Sequence, residues 1–119
     1  MITQAFADEF ARHWVASWNT HNLDNILEHY SEDFSIETPM ALRLLPQTEG
    51  KLQGKDAIRA YWKIGLERIP DLEFELLDLL LGINGLTIYY FNKATGKKSV
   101  EIMFFNEQMK VHKVFVHYS

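Results

Sequence analysis

The sequence predicts a single α+β domain with helices packed on one face of an antiparallel sheet. Up to Pro70 the apolar residues recur every three or four positions; beyond it they recur every two. Turn signals then divide the second part into consecutive hairpins. A chain of 119 residues is one domain, long enough to bury roughly two-thirds of its unfolded surface.

Phe6, Phe10, Trp14 and Trp18 recur every fourth residue with Ala7 and Ala11 beside them, predicting an amphipathic helix over 3–19. Asn22 suits the N-cap of a shorter second helix, whose stripe is Leu23, Ile26, Leu27 and Tyr30. A strand follows at 33–38 and ends before Pro39. Residues 39–53, "PMALRLLPQTEGKLQ", hold two prolines, a glycine and several large apolar residues, which suits a folded-over loop or lid. After Gly54, the segment "KDAIRAYWKIGLERI" places Ile58, Tyr61, Trp62, Leu66 and Ile69 on one side of a third helix that stops at Pro70. Strands are expected at 72–82, 86–92, 98–106 and 110–118, separated by "GING", "NKATGKK" and "NEQM".

Composition excludes several classes of function. With 47% apolar residues and a formal charge of −4, the chain has the balance of a soluble globular protein. It has no cysteine, so disulfides and thiolate chemistry are out, and its five histidines show no close pairing of the kind a metal site uses. No cofactor or metal is expected. Twelve lysines and arginines, none in a dense cluster, argue against nucleic acid as a partner. The first residues lack a positively charged, apolar leader and no run spans a membrane, so a cytoplasmic protein without membrane contact is expected.

The stretch "SVEIMFF", residues 99–105, raises the functional question. Alternation puts Ser99, Glu101, Met103 and Phe105 on one face and Val100, Ile102, Phe104 and Asn106 on the other. Both faces are apolar, which implies helices on one and a second copy of the sheet on the other: a homodimer through the outer face. With Glu107 and Gln108 at the hairpin tip, Glu101 would stand opposite Val114, with His112 and Val116 diagonal to it. The inner wall would then be Glu101, Met103, Phe105, His112, Val114, Val116 and Tyr118, apolar with a few polar groups, as pockets for small molecules are.

Three segments together carry a resemblance: "WVASWNTHNLDNILEHYSEDFSIETP", "GKDAIRAYW" and "VEIMFFNEQMKVHKVFVHYS". The chain resembles the nuclear transport factor 2-like superfamily, specifically its SnoaL-like and ketosteroid isomerase-like branch, over nearly its whole length. The resemblance implies a cone-shaped fold with a strongly curved sheet wrapped around the long helix, an apolar pocket at the open end and frequent dimerisation through the outer face. It does not imply one function, because this scaffold serves isomerases, cyclases, dehydratases and noncatalytic binding modules.

Carried over by position, the isomerase pattern keeps one of its three chemical groups. Its general-base aspartate falls on Thr38, and its tyrosine oxyanion donor falls on Trp14, whose indole N–H donates but is no acid or base. Its second aspartate falls on Glu101. Isomerisation by that route is therefore not expected.

Glu101 admits three readings: a pocket acid or base with a raised pKa, a structural carboxylate satisfied by neighbours, or a side chain escaping to solvent. Most of the aromatic residues are expected in the core, whereas the resemblance aims Trp14 into the pocket, with Tyr30, Thr38 and Trp62 as further ligand contacts. His13 is expected at a boundary and His117 outside, and Arg43 can either reach an anionic ligand group over the mouth or simply be solvated. Two functions remain: a cofactor-independent isomerase, cyclase or dehydratase acting on a small hydrophobic carbonyl compound, and a noncatalytic module for ligand or protein binding. A third, a dimer with no ligand, requires the pocket to be filled by its own side chains.

Overall fold

A computed structural model describes every residue from Met1 to Ser119. Helix α1, Gln4–Asn19, is capped by Thr3, whose hydroxyl accepts from the Phe6 N–H, and it buries Phe10, Trp14 and Trp18 as the spacing requires. Asn22 caps α2, Leu23–Leu27, by accepting from the Asn25 N–H. Strand β1 is Tyr30–Glu37, so Tyr30 opens a strand and does not extend the stripe of α2 as predicted. Two turn residues, Glu28 and His29, end the helix before it.

The expected loop at 39–53 is instead largely regular. Pro39–Leu44 forms α3, Pro46–Thr48 a turn of 3₁₀-helix, and Lys51–Gln53 the short strand β2 on the edge of β1. Proline signalled a break, but at the first helical position it costs no hydrogen bond and its fixed φ favours the helix. Helix α4, Lys55–Arg68, starts after Gly54, whose φ of 92° is open to glycine. No helix is long and apolar enough to cross a membrane.

Strands β3 (Phe74–Leu81), β4 (Gly85–Asn92), β5 (Lys97–Phe105) and β6 (Val111–Tyr118) form the expected succession of hairpins. The curved, unclosed sheet runs β2-β1-β6-β5-β4-β3. It is mixed where a wholly antiparallel one was expected, because β1 lies parallel to β6, with Ile36 beside Val114 and Glu37 beside Phe115. Periodicity reports which faces are buried and carries no information on strand direction.

The last hairpin departs from the expected register by two residues. Glu101 pairs with Val116 and Met103 with Val114. The turn is wider than two residues: Asn106 Oδ1 accepts from the Gln108 and Lys110 N–H groups, and Met109 takes a left-handed φ of 60°. A bulge then lets Phe105 face Val111 while Phe104 faces Lys113, which leaves His112 unpaired and exposed, outside the inner face assigned to it.

Candidate functional site

A cavity of about 580 Å³ opens between α3, α4 and the inner face of the sheet. Each wall follows from an element just described. From α4 come Tyr61, Trp62 and Leu66, with Ile69 at its C-cap; from α3, Met40, Arg43 and Leu44, with Thr38 at its N-cap; from the strands, Phe74, Tyr90, Glu101, Val116 and Tyr118.

Glu101 sits at the inner end, only 6% exposed. Its strand neighbours are Ile88 and Val116, both buried. Desolvation raises its pKa from 4.5 to about 7, against the opposing effect of the Tyr90 hydroxyl, which donates to Oε2 at 2.7 Å. No protein donor reaches the other carboxylate oxygen, which is left to the cavity. Tyr90 is held in turn by rings: Phe74 at 4.4 Å and, edge-on, Trp14 at 5.3 Å between centroids. Burial and the facing Glu101 carboxylate push the Tyr90 phenol well above its ordinary value, so it remains a donor.

A second polar group lines the cavity at Thr38. Its hydroxyl caps α3 by accepting from the Met40 N–H at 3.3 Å, and it donates to the Tyr118 hydroxyl at 3.4 Å. Burial raises the phenols of Tyr61 and Tyr118, keeping both protonated. The indole N–H of Trp18, another wall residue, is buried with no hydrogen-bond partner.

Five of the ten predicted site residues meet at this cavity: Glu101, Thr38, Trp62, Val116 and Tyr118. Trp14, Tyr30, Met103 and Val114 do not; they are wholly or almost wholly buried in the core behind it. The Trp14 N–H, expected to meet a ligand, donates to the Tyr30 hydroxyl at 3.0 Å, so the indole donor is partnered within the core and needs no pocket. Tyr90, which also lines the cavity, was not singled out from the sequence. Alternation along "LTIYYFN" places Tyr90 on the same face as Ile88 and Leu86, one diagonal step from Glu101, and this signal was readable. His13 and His29, unpaired by sequence spacing, touch through Nδ1 and Nε2 at 2.6 Å away from the cavity. No group of three metal-ligating side chains forms anywhere.

Comparison with known proteins agrees with this architecture. The SnoaL-like domain family matches residues 11–107. A SnoaL-like protein of unknown function from Burkholderia thailandensis has a solved structure with 39% identity and a TM-score of 0.93, covering 100% of this chain and 99% of its own. A candidate isomerase of the SnoaL-like family from Agrobacterium tumefaciens shares the fold at 13% identity and a TM-score of 0.74, over 95% of this chain and 97% of its own. AclR, a candidate hydroxylase from Streptomyces galilaeus, does so at 17% identity and a TM-score of 0.74, over 98% and 81%. Comparison with curated proteins found no match. The chain belongs to the SnoaL-like domain family.

Proposed function

We propose that the cavity binds a small, largely apolar carbonyl compound and that Glu101 serves it as a general acid or base, without a cofactor. The observation that carries this reading is the placement of Glu101: one oxygen is bound by Tyr90, the other open to the cavity, and its pKa lies near 7. At such a pKa both protonation states are populated at neutral pH. The carboxylate takes a proton from the carbon beside the carbonyl, or the acid returns one to oxygen or carbon. Tyr90 holds the side chain in place, and the rings of Trp62, Tyr61 and Phe74 line the space for the ligand body. Isomerase, cyclase and dehydratase chemistry all use such a step.

A noncatalytic binding module is the second reading, and one observation favours it: Thr38, where the isomerase base would stand, is committed to capping α3. Turnover separates the two. A thermal-shift screen of apolar carbonyl compounds supplies ligands, since one at 100 times its Kd stabilises the fold by about 2.7 kcal/mol. Of these, substrates are expected to lose roughly 10²–10⁴-fold in kcat with Glu101→Gln. Tyr90→Phe should move the pH limb near 7 upward by removing the hydrogen bond that favours the ionised carboxylate. Full turnover in Glu101→Gln would exclude the catalytic role.

The same reading includes a homodimer in the cytoplasm. Partly exposed Val100, Ile102 and Phe115, together with Phe104 at 40% exposure, make an apolar outer face that a second sheet would cover. Sedimentation of Ile102→Asp against the unaltered chain tests it, with dissociation expected.

A further inference from the structure

The charged side chains around the cavity are unevenly divided. Of the chain's 12 lysines and arginines three line it, Arg43, Arg68 and Lys97, whereas of its 16 acidic residues only Glu101 does. This stands against a formal charge of −4 for the whole chain. The three cations are exposed and the one carboxylate is buried, so positive charge gathers at the mouth and the acid at the inner end. The five ion pairs of the molecule use Arg12, Lys51, Lys55, Arg59 and Lys93, and none uses these three.

The cations come from separate elements. Arg43 and Arg68 lie in the last turns of α3 and α4, where a cation also suits the helix end. Lys97 opens β5 and has no such role. It shares the inner-facing alternation of Ser99 and Glu101, four residues from the latter, or roughly 13 Å along the strand. An apolar wall with a hydrogen-bonding acid at one end and unpaired cations at the other defines an axis.

We propose that the ligand is an amphipathic organic acid, bound with its carbonyl against Glu101 and Tyr90 and its anionic group at the mouth among Arg43, Arg68 and Lys97. This rests on the reading of the cavity as a carbonyl-binding pocket and adds the chemical class of the ligand. Charge also steers such a compound toward the mouth of a protein that otherwise repels it.

The test uses 4'-acetylbiphenyl-4-carboxylate and its methyl ester, which share a ketone and a rigid apolar body and differ in charge. Titration calorimetry on the unaltered protein is expected to show the acid binding about tenfold tighter than the ester, as several exposed charges acting together allow. The gap should close at high salt and in the combined variant Arg43→Gln, Arg68→Gln, Lys97→Gln, the acid losing more affinity than the ester. Lys97→Gln alone should narrow the gap without lowering the melting temperature, which separates ligand binding from support of the helix ends. Equal binding of acid and ester, or a gap that survives the combined variant, overturns the inference and leaves the apolar pocket standing. Failure of both compounds to bind overturns the pocket reading and this inference with it.

Discussion

Along α1 one aromatic repeat meets two different interiors. Phe6 and Phe10 meet Phe105 edge-on at 5.4 and 5.2 Å, and Phe10 meets His29 at 5.0 Å, so this end is closed by rings in contact. Further along the helix, Trp14 and Trp18 pack on Phe74 at 5.6 Å, and Trp18 borders the open cavity. The closed end uses phenylalanines with no polar tip. The open end gathers Tyr61, Tyr90, Tyr118, Thr38 and Glu101, whose oxygens need hydrogen-bond partners and are poorly served by apolar filling. Equal spacing on a helix thus secures burial of a side chain, and the partners across the gap decide whether that burial ends in contact or in a void.

Mutation at the two ends should break this symmetry most visibly. Phe10→Ala removes a ring from contact on several sides and is expected to cost about 3–5 kcal/mol in chemical denaturation. Leu66→Ala, from a half-buried residue on the cavity wall, should cost about 1 kcal/mol or less. Equal losses would mean that the open end is packed as tightly as the closed one.

The pH dependence of stability sharpens the comparison, because each end holds a titratable group and the two act in opposite directions. Glu101, raised by burial to about 7, keeps its proton in the folded state where the unfolded chain has lost it. Stability is therefore full below pH 4.5 and declines as pH rises through 7, by about 3 kcal/mol in all. Glu101→Gln should abolish that decline and be the more stable protein at pH 8, measured by urea unfolding. His29 is lowered from 6.5 to about 4 by burial first, then by His13 and Lys110. Its contribution is present above pH 6.5 and is lost as pH falls toward 4, because the unfolded chain then binds the proton more readily. With the ring partly open to solvent, about 1 kcal/mol is the expected size, and His29→Gln should flatten that acid limb. A wild-type curve with neither limb would place both groups in ordinary surroundings.

The elements were legible because their signals are local. The fourfold repeat of α1, the Asn22 cap and the hairpin turns each lie within a few residues of what they specify. Thr38, expected at the pocket through the family resemblance, lines the cavity, although its local signal, a threonine before a proline, is that of a helix cap. What sequence could not carry was pairing across distance. Trp14 donates to Tyr30 across 16 residues, Tyr90 donates to Glu101 across 11, and His13 and His29 meet again across 16. The face of Glu101 was correct, since a register error of two preserves alternation. His112 was misplaced because a bulge changes the alternation midway through its strand.

The parallel seam between β1 and β6 joins the two halves of this interior. In the sheet β6 lies between β1, which leads to Thr38, and β5, which carries Glu101. Until β6 is seated, the sheet exists as two fragments, β2-β1 and β5-β4-β3, and the Thr38 and Glu101 walls have no common frame. Joining Glu37 to Phe115 closes a long loop, and contacts so distant along the chain slow folding. The two walls of the cavity thus meet across a seam between strands far apart along the chain.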